Sequence, residues 1–185
     1  MQLTPQTALL LIDVQVGLDD PALGQRNNPQ AEPNIARLLA EWRAHQRPIY
    51  HVQHMSTSPQ SPLRPEQAGN AIKDCATPLP HEPLVQKSVN SAFIGTDLEA
   101  RLRADGIESL LIVGLTTNHC VSTTTRMASN LGFTSAIVAD ATACHAREGF
   151  DGVHYDADTV HRLALVSLQD EFAEIVHTDD LLKAR

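Results

Sequence analysis

The 185-residue chain predicts an α/β fold: a three-layer α/β/α sandwich around a doubly wound, mostly parallel sheet. Three observations carry this. Short apolar runs at residues 8–14, 110–113 and 134–139 are continuous rather than alternating, as in strands covered on both faces. Segments with apolar residues at helical spacing separate those runs. Parallel strands joined through helices cross over right-handedly, and that sets helices on both faces of the sheet.

In chain order, the run ALLLIDV at 8–14 is the first strand, with Asp13 at its carboxyl end. Ligands of open α/β sheets bind outside the carboxyl ends of the strands, so a carboxylate there is placed for chemistry or, failing that, caps a turn. A polar loop at 17–29 precedes a helix expected over 33–45. Pro33 suits its first position, and Ile35, Leu38, Leu39 and Trp42 form its apolar face. A strand follows Pro48 at 49–54. Residues 56–83 hold six prolines and little periodicity. An excursion this long within a domain reads as a lid or interface segment, with a short helix expected near 66–73.

Residues 84–87 form a short strand ending at Lys87. Thr96 and Glu99 have the spacing of a capping box, which starts a helix that Gly106 ends. The next strand, 110–113, breaks at Gly114. The polar cluster Thr116-Thr117-Asn118 then leads into a helix that carries Cys120 in its first turn. A further strand ends at Asp140, a helix is expected over 158–170, a last strand over 174–177 and a terminal helix over 178–183. The whole reads as one domain, 1–185, without internal repeats.

Composition narrows the function. A net charge of −8 argues against nucleic acid or an anionic membrane as partner. No apolar run reaches the roughly 18 residues of a membrane span, and the amino terminus lacks a signal peptide's pattern, so a cytoplasmic location is expected. Three cysteines without CxxC spacing fit a reducing compartment better than a disulfide framework or a zinc site.

In a parallel sheet the strand carboxyl ends share one edge. Asp13, Lys87 and Cys120 each lie at or just beyond such an end, so they can converge in one crevice. The helix N-terminus and Lys87 would both favour a Cys120 thiolate, which is the nucleophilic form. Asp13 can take a thiol proton and return it to a leaving amine. Backbone N–H groups at the helix start, including that of Cys120, can receive an oxyanion. His54 near a strand end, Phe93 and Leu18 are candidates for the pocket wall. The blander alternative is an Asp–Lys surface pair beside a buried thiol.

Three motifs, LLLIDVQ with Asp13, VQKSVNSAF with Lys87 and VGLTTNHCV with Cys120, resemble the isochorismatase-like cysteine hydrolases, relatives of the nicotinamidases. The resemblance runs from about residue 7 to 177. It implies a six-stranded parallel sheet in Rossmann-like order and an Asp–Lys–Cys triad acting through an acyl-thioester. It also implies a non-proline cis peptide at Leu115–Thr116, an oxyanion hole from the N–H groups of Thr116 and Cys120, and a homo-oligomer. The chain departs from the nicotinamidases at Gln53-His54-Met55-Ser56, which lacks their metal-binding Asp-x-His pair. No metal and no cofactor are therefore expected. Family members that open a vinyl ether do not need the cysteine, so its presence favours an amide or carbamoyl C–N bond of a small molecule. A vinyl ether hydrolase and a non-catalytic small-molecule binding protein on the same fold remain the alternatives.

Overall fold

The computed structural model describes residues 3–183; the outermost residues of the expected 1–185 domain lie outside it. Six strands form the main sheet: β1 (Thr7–Ile12), β2 (Ile49–His54), β3 (Leu84–Lys87), β4 (Ser109–Leu115), β5 (Thr134–Ala143) and β8 (Glu174–Val176). Their order is β3-β2-β1-β4-β5-β8, and every pairing in the sheet is parallel. The order reverses direction at β1, so the crevice beyond the carboxyl ends of β1 and β4 is the topological switch point.

Alternation along β1 divides the core. Ala8, Leu10 and Ile12 face a layer containing α2 (Leu98–Ala104), α3 (Ser122–Asn130) and α4 (Ala157–Val166), whose Leu98, Leu102, Ala128 and Leu165 are buried there. Leu9 and Leu11 face α1 (Ala31–Ala44) and α5 (Thr178–Lys183), against Ile35, Leu38, Leu39 and Trp42. Each fully buried leucine contributes about 1.5–3 kcal/mol relative to exposure. The Trp42 indole N–H is not stranded in this layer, because it donates to the Thr7 carbonyl at 3.0 Å.

Several local expectations are corrected. Helix α1 begins at Ala31, so Pro33 is its third residue, still within the first turn where a missing N–H costs nothing. The capping box at α2 does not form: Asp97 is the N-cap and makes no side-chain cap bond, while the Thr96 hydroxyl donates to the Ala92 carbonyl at 2.6 Å. Gly114 does not end β4, which continues to Leu115. A Cβ at Gly114 would sit 2.0 Å from the Ile12 carbonyl oxygen, so only glycine lets β4 pass β1 here. Strand β5 runs past Asp140 to Ala143, absorbing a register shift against β4 between Ile112 and Gly114. Helix α4 ends at Val166. A small antiparallel hairpin of β6 (Arg147–Glu148) and β7 (His154–Tyr155) had no sequence signal.

The Pro-rich excursion carries two 3-10 turns, Ala68–Asn70 and Asp74–Ala76, in place of the expected helix. It is tied down by buried amides. The Asn70 side chain donates to the carbonyls of His54 (2.9 Å) and Leu63 (2.7 Å), and its own carbonyl accepts from Gln15 and Gln53. These bonds pin the excursion over the carboxyl ends of β1 and β2.

Candidate active site

Asp13 follows the last residue of β1 and takes a left-handed backbone conformation, φ 50°, which short polar side chains tolerate. Lys87 is the last residue of β3 and lies level with His54 of β2. Cys120 lies in a π-helical turn, Thr117–Val121, that leads into α3. The lysine side chain reaches across β2 to join them. Its Nζ lies 2.7 Å from Asp13 Oδ2, 2.9 Å from His54 Nδ1 and 3.3 Å from Cys120 Sγ. The Lys87 and Asp13 side chains are buried, at 0% and 1% exposure. Asp13, Lys87 and Cys120 are thus brought together.

Burial dominates the electrostatics. Desolvation, then the Asp13 charge, push the Cys120 thiol up to about 12 against the opposing pull of Lys87. Asp13 is also raised by burial, with Lys87 drawing it back. His54 is lowered to about 4 by burial and by the ammonium. The expected resting thiolate is therefore corrected to a thiol. One ammonium cannot balance two buried anions, so the carboxylate takes its charge and the sulfur keeps its proton. Asp13 Oδ1 remains buried without a hydrogen-bond partner. It belongs to a carboxylate that, with Cys120 Sγ and a His54 ring nitrogen, offers ligand atoms within 4.8 Å of one another. These are three metal-type donors, but the Lys87 ammonium already contacts all three residues and stands where a metal ion would.

The cis peptide and Leu18 lie by the β4 end that leads into the Cys120 turn, whereas Phe93 is placed only within the wider apolar layer. The Leu115–Thr116 peptide is cis, at the mouth of the Cys120 turn. Leu18 packs against Leu115, Ala143 and Ala31, beside that same strand end. Phe93 stacks on Phe133 with ring centroids 5.9 Å apart and packs on the same apolar cluster as Cys120. Sequence reasoning missed Gln15, whose side chain accepts from the His54 N–H at 2.8 Å and donates to its carbonyl at 3.1 Å. It also missed His161, which meets the Thr117 hydroxyl at 2.8 Å and braces the Cys120 turn from α4. An amide next to Asp13 was visible in the sequence as DVQ; His161 carried no signal, since only the fold brings α4 to that turn.

A family model for the isochorismatase domain matches residues 7–180. The chain belongs to the isochorismatase family. Within it, the chain is 45% identical to the uncharacterized isochorismatase family protein YrdC of Bacillus subtilis, over 95% of this chain and 94% of that one. The crystal structure of a putative isochorismatase-family hydrolase from Chromobacterium violaceum superposes with a TM-score of 0.95 at 42% identity, covering 99% of this chain and 95% of that one. A shorter match, 38% identical over 88 residues, links it to the ureidoacrylate amidohydrolase RutB of Stutzerimonas stutzeri. That match spans 43% of this chain and 36% of the relative. The fold and family make the protein an isochorismatase-family hydrolase, and none of its described helices is long and apolar enough to cross a membrane.

Proposed function

We propose that this hydrolase cleaves a small-molecule amide or carbamoyl C–N bond through a Cys120 thioester. The observation that carries the reading is the single buried ammonium of Lys87 in contact with both Asp13 and Cys120. A resting thiol beside a carboxylate of raised pKa suits a step in which proton transfer accompanies attack. Asp13 takes the Cys120 proton as sulfur bonds to the carbonyl carbon. The backbone N–H groups of Thr116 and Cys120 receive the oxyanion, and loss of one such donor typically costs on the order of 100-fold in rate or more. As the intermediate collapses, Asp13 returns the proton to the leaving nitrogen and the C–N bond breaks. Water, deprotonated by Asp13, then attacks the thioester, releasing the acid and restoring the thiol. The partial match to a ureidoacrylate amidohydrolase supports an amide or ureido substrate.

The test is a turnover screen over small amides, ureido compounds and vinyl ethers, with Cys120→Ala alongside and mass spectrometry of the quenched enzyme. We expect an acyl adduct on Cys120 and loss of turnover in the variant. Adducts on Cys75 or Cys144 instead, with Cys120→Ala fully active, would sink the mechanism.

A further inference from the structure

His54 is a titratable side chain in the cleft that the proposed chemistry leaves unused, and its environment is unusually defined. Gln15 holds both its backbone N–H and its carbonyl, and Asn70 donates to the same carbonyl. The orientation of the ring proton follows from its partner. A lysine ammonium has donors only, so Nδ1, 2.9 Å from Lys87 Nζ, must accept. A neutral imidazole then carries its hydrogen on Nε2. Burial and the neighbouring ammonium hold His54 down to about 4, so the ring is neutral at physiological pH. Nε2 has no hydrogen-bond partner among the described residues, nor is it among their buried unpartnered atoms, so it keeps access to solvent.

The lysine, by contrast, has nothing left to offer. Its three N–H groups are committed to Asp13, His54 and Cys120. Recognition of a substrate oxygen beside the nucleophile therefore cannot come from that cation. A ring nitrogen of His54 lies within 4.8 Å of Cys120 Sγ, and the two ring nitrogens of an imidazole are only about 2.2 Å apart, so Nε2 is within about 7 Å of the sulfur, a gap a small substrate can bridge.

We infer that His54 is a specificity-determining residue whose Nε2–H binds an acceptor oxygen adjoining the attacked carbon. The substrate class is accordingly small molecules with a second carbonyl or carboxylate oxygen close to the reacting centre, such as α-carbonyl amides or N-acyl ureas. An oxygen about 2.9 Å from Nε2 and a carbon about 3–3.5 Å from sulfur fit a separation of only two or three bonds. A lone amine or a purely apolar group at that place leaves the donor unpaired. This rests on the hydrolase reading for its meaning, but its test does not need turnover.

The probes are 2-bromoacetamide and allyl bromide, two alkylating agents with the same leaving group, of which only the first carries a carbonyl. Rates of Cys120 alkylation are measured by mass spectrometry and expressed as a ratio, relative to the same ratio for free cysteine. His54→Asn keeps an acceptor near Nδ1 for Lys87 but removes the outer donor; His54→Gln restores an N–H near the Nε2 position. We expect the wild-type preference for bromoacetamide to exceed that of free cysteine by about 3- to 10-fold, to vanish in His54→Asn and to persist in His54→Gln. A purely structural histidine would change both reagents' rates together and leave the ratio alone. An unchanged ratio in His54→Asn overturns the inference while leaving the hydrolase reading intact. A retained ratio effect with no turnover in the screen counts against the hydrolase reading alone, and a Cys120 inert to both reagents counts against both.

Discussion

Strands β2 and β3 carry a buried ionic cluster at each end, and the two are built differently. At the amino edge, Glu82 precedes β3 and is gripped by Arg43 through both carboxylate oxygens at 2.8 Å, while His51 of β2 adds a bond at 2.8 Å and the Leu79 N–H another at 2.9 Å. Burial raises that carboxyl, but the Arg43 hydrogen bonds and the others outweigh it and bring Glu82 down to about 2. At the carboxyl edge, Asp13 has one cation, shared with two other residues, and an oxygen with no partner. There burial wins and the carboxyl rises. Satisfied charge stabilises a fold, whereas frustrated charge is reactive, and groups displaced from their usual pKa by burial beside a specific partner mark sites of chemistry. Cavity size does not make that distinction here: a cavity of about 550 Å³ opens at the amino edge, beside Arg43, Tyr50 and Glu82.

The sharpest way to break this contrast is to remove the shared cation. In Lys87→Met, kcat/KM should fall by roughly 1,000-fold, because the proposed base Asp13 and the proposed nucleophile Cys120 both lose their electrostatic support. The variant should also move the acid limb of the pH–rate profile. The proposed mechanism uses Asp13 ionised, and without Lys87 its already raised pKa climbs further, so the limb should shift to higher pH. A profile that merely drops without shifting would show that the lysine does not set the ionisation of Asp13.

At the other end the same kind of substitution should cost stability rather than turnover. Glu82→Gln keeps the shape but loses the anion, and chemical denaturation at pH 7 should show a loss of about 2–3 kcal/mol with activity nearly unchanged. The pH signature has a definite sign. A carboxyl whose folded pKa is about 2, against 4.5 ordinarily, adds stability that is fully present above about 4.5 and is lost as pH falls toward 2. Glu82→Gln should therefore flatten the acid limb of stability in that window. Asp13 contributes with the opposite sign. Its raised pKa means that between 3.8 and its folded pKa the native state keeps a proton that the unfolded chain has released, so its contribution weakens stability as pH rises through that window and is constant once both states are ionised.

Much of this layout was legible from residues alone, for a physical reason. Strands covered on both faces leave continuous apolar runs, which marked β1, β4 and β5, and with β2 and β3 read from the segments between them the terminal Asp13, His54 and Lys87 were placed within a residue or two. A parallel sheet then puts such ends on one edge, which is how three residues distant in sequence could be grouped. What could not be read was set by tertiary contacts. Gly114 looked like a strand break, yet its lack of a side chain is what lets β4 continue past Ile12. Thr96 and Glu99 had capping-box spacing, but the Thr96 hydroxyl donates to the Ala92 carbonyl and accepts only a long bond, 3.4 Å, from the Leu98 N–H, so the reciprocal pair with Glu99 does not form. The protonation of Cys120 was misjudged because a helix terminus and a lysine are visible in sequence, whereas the depth of burial that overrides them is not.

The smallest effect tests whether the catalytic edge is preorganised as well as charged. Gln15 makes no contact with Lys87 or Cys120 in the hydrogen-bond network, but its amide clasps both backbone groups of His54, whose ring in turn receives a bond from Lys87. Truncation in Gln15→Ala leaves the part-buried His54 N–H without that acceptor, at a cost of about 1–3 kcal/mol in unfolding free energy. Because the His54 carbonyl keeps its bond from Asn70, the strand end should loosen rather than unravel. The lysine would then be held less firmly between Asp13 and Cys120, and turnover should drop several-fold even where the protein is fully folded. Equal stability loss with unaltered turnover in Gln15→Ala would mean that the His54 backbone clamp serves the fold alone, and the two ends of β2 would then differ only in their charges.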